Sequence, residues 1–281
     1  MSKVWFITGA GSGLGAGTAR AALKAGDKVV ALGRDTGKIE RALQGAPADA
    51  LLIVAADVTV PDQVHNAVAA AIGRFGRIDT LLNNAGGGVF GNFEELAWSD
   101  IEWQYQVNVF GVMHVLRAVL PVMRRQRSGL ILNISSGGGV QGFAQSTAYG
   151  ATKFAVEGLT LALAQEVAQF GIRVVLVEPG MFRTDLLSDA SVRYADPSID
   201  EYAHLTPARN AWAPIDGTQV GDPQKFGDVM VQVAGLSEPP RILAVGRDVL
   251  DIIDSVTTER REQAALYATL STSTDFADAP E

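Results

Sequence analysis

The start of the chain constrains its fold most tightly. Residues 3–8, KVWFIT, are branched and aromatic, as expected of a parallel strand buried on both faces. They run directly into Gly9-Ala10-Gly11-Ser12-Gly13-Leu14-Gly15, and a helical stretch follows until Gly26 stops it. Glycines let a backbone turn tightly and approach a ligand with no side chain in the way. The N-terminus of the following helix offers free N–H groups and a positive dipole end to an anion. A glycine-rich turn alone needs no ligand. Strand, glycine turn, helix and a second strand within one short unit point to a dinucleotide site.

The alternation continues along the chain. Strands are expected at 3–8, 28–32, 51–54, 78–83, 129–135, 172–178 and 241–245. Helices are expected at 14–25, 35–43, 61–73, 99–126, 148–170, 222–235 and 247–266. Such alternation implies right-handed crossovers and a doubly wound (Rossmann) α/β fold, a seven-stranded parallel sheet with helices on both faces. The 281 residues, 47% of them hydrophobic, suit a single domain spanning 1–281. Residues 185–220 break the alternation, and 271–281 are expected to form a loose tail.

Several chemistries are disfavoured. The chain has no cysteine, which removes disulfides, thiolate nucleophiles and cysteine-ligated metals. His65, His114 and His204 show no ligand spacing, so no metal is expected. A net charge of −8 leaves no footprint for nucleic acid. The run Arg124-Arg125-Gln126-Arg127 falls at a helix end, where it complements the dipole. No run resembles a membrane span, and the first apolar run is only a strand long, so a cytoplasmic location is expected.

Tyr149 and Lys153 stand at i and i+4 in YGATK, on one face of an expected helix. A phenol titrates near 10, so action at neutral pH requires a shift of about three units, or about 4 kcal/mol. A positive charge about 4 Å away supplies roughly that at an effective dielectric near 20. Such a pair has the chemistry of a proton donor and acceptor for an alcohol/carbonyl couple. Nucleotide units of this kind place an acid about 20 residues past the glycines, to bind the ribose hydroxyls. Gly33 and Arg34 occupy that place here. A guanidinium suits a 2′-phosphate, so NADP(H) is expected in preference to NAD(H), although Asp35 adds a contrary charge.

Taken together, these motifs resemble the short-chain dehydrogenases/reductases over residues 3–184. Thr8-Gly9, Gly13 and Gly15 match the family's TGxxxGxG, and Asp57-Val58 matches an acidic pair beside the adenine. Asn83-Asn84-Ala85-Gly86 matches NNAG. Asn108, Ser136, Tyr149 and Lys153 match the catalytic set, and Pro179-Gly180 with Thr184 matches PGxxxT over the nicotinamide. The expected cofactor contacts are Gly9, Ser12, Gly13, Leu14, Gly15, Arg34, Asp57, Val58, Asn84, Ala85, Gly86, Tyr149, Lys153, Pro179, Gly180 and Thr184.

The resemblance implies that Ser136 holds the substrate oxygen and Tyr149 exchanges its proton. It implies that Lys153 lowers the Tyr149 pKa and binds the ribose, and that Asn108 anchors a water linking Lys153 to solvent. It makes 185–220 a substrate lid, and it implies a homodimer or homotetramer through the helices at 107–123 and 148–164. Gly137, Gly138, Val140, Phe143, Phe90, Met181 and Phe182 are expected near the site, so an apolar ketone or secondary alcohol is the expected substrate. A non-catalytic nucleotide sensor is the alternative. An intact catalytic set speaks against it, and the glycine spacing speaks against the longer sugar-nucleotide epimerases.

Overall fold

The computed structural model describes residues 2–188 and 191–276. Asp189 and Ala190 of the expected lid, and 277–281 of the expected tail, lie outside the described residues. The strands are β1 (Val4–Thr8), β2 (Lys28–Gly33), β3 (Leu51–Ala55), β4 (Thr80–Asn83), β5 (Gly88–Phe90), β6 (Gly129–Ile134), β7 (Ile172–Pro179), β8 (Val192–Tyr194) and β9 (Ile242–Val245). The helices are α1 (Gly13–Lys24), α2 (Thr36–Ala42), α3 (Pro61–Phe75), α4 (Trp98–Tyr105), α5 (Gly111–Gln126) and α6 (Gly137–Val140). They continue with α7 (Thr147–Val167), α8 (Ala208–Trp212), α9 (Pro223–Gly235), α10 (Arg247–Leu266) and α11 (Ala268–Thr272).

All seven expected strands form one parallel sheet, in the order β3-β2-β1-β4-β6-β7-β9. Strand residues alternate between its two faces. Val4 and Phe6 join Val115, Val119, Met123 and Val156 in the core under α3, α5 and α7. Trp5 and Ile7 join Ala19, Phe226, Met230 and Val233 under α1 and α9. The direction of winding reverses between β1 and β4, so the loops after these strands diverge and open a crevice at their carboxyl ends.

Three features differ from expectation. β5 and β8 form an additional two-stranded parallel sheet, with Phe90 paired to Tyr194. Three-residue strands are too short for alternation to show in sequence. The helix expected at 99–126 is α4 and α5 joined through a π turn at Gln106–Phe110. By length and composition the 29 residues Trp98–Gln126 are apolar enough to cross a membrane, contrary to expectation, yet over half of that apolar window is buried inside the domain. Finally, the expected loose tail begins in a helix, since Ser271 and Thr272 close α11.

The closest approach of α1 and α9 passes through two glycines. A methyl at Gly17 would lie 2.0 Å from the Pro223 carbonyl oxygen, and one at Gly227 would lie 2.3 Å from that of Gly17. Neither backbone can yield without separating the helices that cover this face. Gly17→Ala should therefore lose about 1–3 kcal/mol of stability in denaturant unfolding. Gly26→Asn, at a positive φ of 83° with open space around it, should change stability by less than about 1 kcal/mol.

Candidate active site

The crevice holds a cavity of about 480 Å³. Of the expected residues, Gly9, Ser12, Gly13, Leu14, Asn84, Ala85, Gly86, Ser136, Tyr149, Lys153, Pro179, Gly180 and Thr184 line it together. Gly15, Arg34, Asp57, Val58 and Asn108 do not, and each has another place in the fold.

Gly15 lets α1 lie against the turn, since a methyl there would sit 2.3 Å from the Gly9 carbonyl oxygen. Arg34 is exposed just beyond Gly33, the last residue of β2. Asp57 closes its own loop, with Oδ1 accepting from the Thr59 amide at 2.9 Å and from its hydroxyl at 2.7 Å. Val58 is buried against Gly111. Asn108 accepts from the Gly87 amide at 2.9 Å. It donates to the Gly87 carbonyl at 3.0 Å and to Thr152 Oγ1 at 3.1 Å. Its side chain thus has both amide protons engaged and ties the β4 loop to α7.

The glycine turn is held from β4. Thr8 Oγ1 accepts from the amides of Asn84 and Ala85, each at 3.0 Å. Asn84 Nδ2 donates back to the Thr8 and Gly9 carbonyls at 3.1 and 3.2 Å. Asn84 therefore fixes the turn itself. At the N-terminus of α1, Ser12 makes no side-chain capping bond and no acid stands in the first turn. Those first N–H groups have no partner within the helix and border the cavity, which fits the diphosphate of a dinucleotide. Thr184 closes over Gly13, where an added methyl would meet its Cβ at 2.9 Å. Lys38 Nζ bridges to Asp185 at 2.7 Å, so α2 meets the segment that follows Thr184.

At the other end, Ser136 caps α6, its Oγ accepting from the Gly138 amide at 3.1 Å. Tyr149 is 8% exposed because Phe90, arriving from β5, places its ring centre 5.6 Å from the phenol ring. Phe90 in turn stacks on Trp212 at 4.9 Å. Lys153 Nζ donates to the Ile134 carbonyl at 3.0 Å and lies 5.7 Å from the centre of the Tyr149 ring.

Burial pushes the Tyr149 phenol above its ordinary value, partly offset by a hydrogen bond with Ser136. Burial also brings the Lys153 ammonium down to about 8, opposed by the charge of Glu157. In the protein alone the phenol therefore stands above its ordinary value. Dehydration of the phenol is the dominant cause.

Sequence reasoning missed several groups around the cavity. Ser135 Oγ donates to Glu157 Oε1 at 2.8 Å. Burial raises the Glu157 carboxyl to about 7, with the Ser135 bond lowering it and Glu178 raising it further. Asp248, on α10, accepts from the Met181 amide at 2.6 Å and packs on Gly180. With Ile252 it brings the C-terminal segment into the cavity wall. Phe143, Met181, Phe182, Gly137 and Gly138 line it as expected, and Val140 does not.

The chain is similar to proteins of one family throughout. The family model described as short chain dehydrogenase matches residues 3–194. Oxidoreductase BOA17 of Botryotinia fuckeliana (strain B05.10) is 38% identical over 251 residues, 89% of this chain and 91% of its own. A solved short-chain dehydrogenase from Streptomyces avermitilis has a TM-score of 0.88 at 35% identity, covering 98% of this chain and 99% of that one. A short chain dehydrogenase/reductase from Burkholderia phymatum, in complex with NAD, has a TM-score of 0.81 at 26% identity over 93% and 95% of the two chains. A metagenomic short-chain oxidoreductase in complex with NADP has a TM-score of 0.68 at 27% identity over 87% and 97%. With the glycine turn and Tyr149–Lys153 facing one cavity, the chain belongs to the short-chain dehydrogenase/reductase family of oxidoreductases.

Proposed function

We propose that this protein interconverts a carbonyl and a secondary alcohol on an apolar substrate, with NADP(H) as hydride carrier and Tyr149 exchanging the proton. The reading rests on one observation: the open helix N-terminus at the glycine turn and the set Ser136, Tyr149 and Lys153 line the same cavity. A sensor would need the first and not the second.

The first-turn amides of α1 would hold the diphosphate, and Tyr149, Lys153, Pro179, Gly180 and Thr184 would frame the nicotinamide end. When bound, the nicotinamide supplies or accepts the hydride. The chain's own groups manage the oxygen and its proton. Ser136 Oγ, fixed by the Gly138 amide, hydrogen-bonds the substrate oxygen. Tyr149, kept in its acid form by burial, donates its proton to that oxygen as the carbonyl is reduced. The phenolate left behind is stabilised by the nearby Lys153 ammonium and recovers a proton from solvent. Asn108, tied to Gly87 and Thr152, would anchor the water that links Lys153 to solvent.

Phe90, Phe143, Leu186, Trp212 and Ile215 make the wall beyond Tyr149 apolar, which favours a hydrophobic ketone over a phosphorylated sugar. Trp212 and Ile215 come from the expected lid segment, so its described parts would close over the substrate. Exposed Phe110 and Phe154, beside and on the two long helices, are the apolar surface that a dimer would cover.

The preference for NADP(H) rests on Arg34 at the end of β2. Asp35, the contrary charge, spends Oδ1 on the Lys38 amide at the start of α2, at 2.9 Å. Arg34→Ala should lower kcat/KM with NADPH by about tenfold or more, as expected for loss of a charge-assisted hydrogen bond, and leave that with NADH nearly unchanged. A wild-type kcat/KM higher for NADH would contradict the preference.

Tyr149→Phe should lower turnover by at least about a hundredfold while NADPH still binds within a few-fold of wild type. Near-normal turnover would remove Tyr149 from the mechanism. Lys153 loses its charge as pH rises through about 8, so kcat for carbonyl reduction should fall above that pH. The limb should be absent from the residual activity of Lys153→Met. A wild-type profile flat to about pH 10 would contradict a charged Lys153 in the rate-determining step.

A further inference from the structure

Helix α7 sends two ionisable side chains, one turn apart, to consecutive residues at the end of β6. Lys153 Nζ donates to the Ile134 carbonyl at 3.0 Å. Glu157 Oε1 accepts from the Ser135 hydroxyl at 2.8 Å. Positions i and i+4 share a helix face, so the cation and the carboxyl lie side by side. Among the described residues no ion pair joins them directly, and the carboxyl acts on the ammonium through its field.

The carboxyl is held in place. The Ser135 amide donates to the Val177 carbonyl at 2.7 Å, which fixes the residue whose hydroxyl Glu157 meets. Gly139 of α6 packs on the bond itself. A methyl there would lie 2.3 Å from Ser135 Oγ and 2.4 Å from Glu157 Oε1. The charged neighbours of Glu157 come from two further elements. From β7, a charge on the buried Glu178 opposes its ionisation, and from α10 Arg260 favours it. The other carboxylates of the cavity wall are engaged elsewhere, Asp185 with Lys38 and Asp248 with the Met181 amide.

Lys153 needs such a neighbour. Burial disfavours its charged form, and the charge of Glu157 opposes that loss. A neutral Lys153 could not stabilise the phenolate that Tyr149 becomes. Glu157, brought by burial to about 7, is mainly ionised near pH 8, where Lys153 gives up its proton.

We infer that Glu157 is a positioning residue for the proton exchange: fixed on Ser135, it is the half-buried counter-charge that keeps Lys153 cationic beside Tyr149. The inference rests on the reading that a charged Lys153 supports Tyr149.

Lysine labelled with carbon-13 at Cε reports the proton state of Lys153 by NMR, its signal assigned by absence from Lys153→Met. This readout needs no turnover. Glu157→Gln keeps an acceptor for Ser135 and removes the charge. The Lys153 midpoint should then move to lower pH by about one unit, and the alkaline limb of kcat for carbonyl reduction should move with it. The deficit in kcat should shrink below about pH 7, where the wild-type carboxyl is itself protonated. A purely structural role would instead lower kcat at every pH and leave the midpoint in place. Glu157→Ala should shift the midpoint in the same direction, so either variant decides the matter if the other fails to fold. A Lys153 midpoint that stays where it is, or rises, in a folded variant overturns the inference. Failure of the functional reading would show separately, as a midpoint that moves as expected in a protein that reduces no ketone.

Discussion

The site depends on the mutual grip between the carboxyl ends of β1 and β4. Thr8 accepts two amide protons from the loop after β4, and Asn84 returns two hydrogen bonds to the turn after β1. These strands are neighbours in the sheet, and the winding reverses between them. Their loops would otherwise part and leave the glycine turn without support on this side. With the grip in place, the first amides of α1 point into the crevice at a fixed height relative to β6 and β7. Everything opposite them, from Ser136 to Thr184, is positioned by the same parallel sheet.

Burial then sets the acid–base character of that opposite wall. Phe90, backed by Trp212, covers Tyr149, and Lys153 is buried against the end of β6. Dehydration moves both groups toward their neutral forms, which raises the phenol and lowers the ammonium. A protonated phenol beside a cation titrating near 8 suits donation to a carbonyl near neutral pH. Glu157, raised to about 7 and bonded to Ser135, places another titrating group one residue from Ser136. Its proton state changes within the range in which such an enzyme would operate.

The features legible in the sequence were those written locally. The strands around Phe6, Val30 and Ile131 are apolar runs bounded by breakers, and the glycine turn joins a strand to a helix within a few residues. Tyr149 and Lys153 share a face because one helix carries both. What was not legible depended on distant segments meeting. β5 and β8 are too short to carry a pattern, and their pairing delivers Phe90 to Tyr149. Asp248 reaches Met181 only because α10 turns back across the end of β7. Glu157 is an ordinary helix residue until the end of β6 brings Ser135 to it. Asn108 was recognised by its motif, but its partners Gly87 and Thr152 come from separate elements.

Hydride transfer between a nicotinamide and a carbonyl carbon is the central claim, and isotope transfer tests it most directly. NADPH carrying deuterium at C4 of the nicotinamide, in both stereochemical forms, would be incubated with the protein and an apolar ketone, and the alcohol analysed by mass spectrometry. One form should deliver a single deuterium to the carbinol carbon and the other none. Alcohol formed without label from either form, or dinucleotide bound but never oxidised across a broad panel of ketones, would contradict the account.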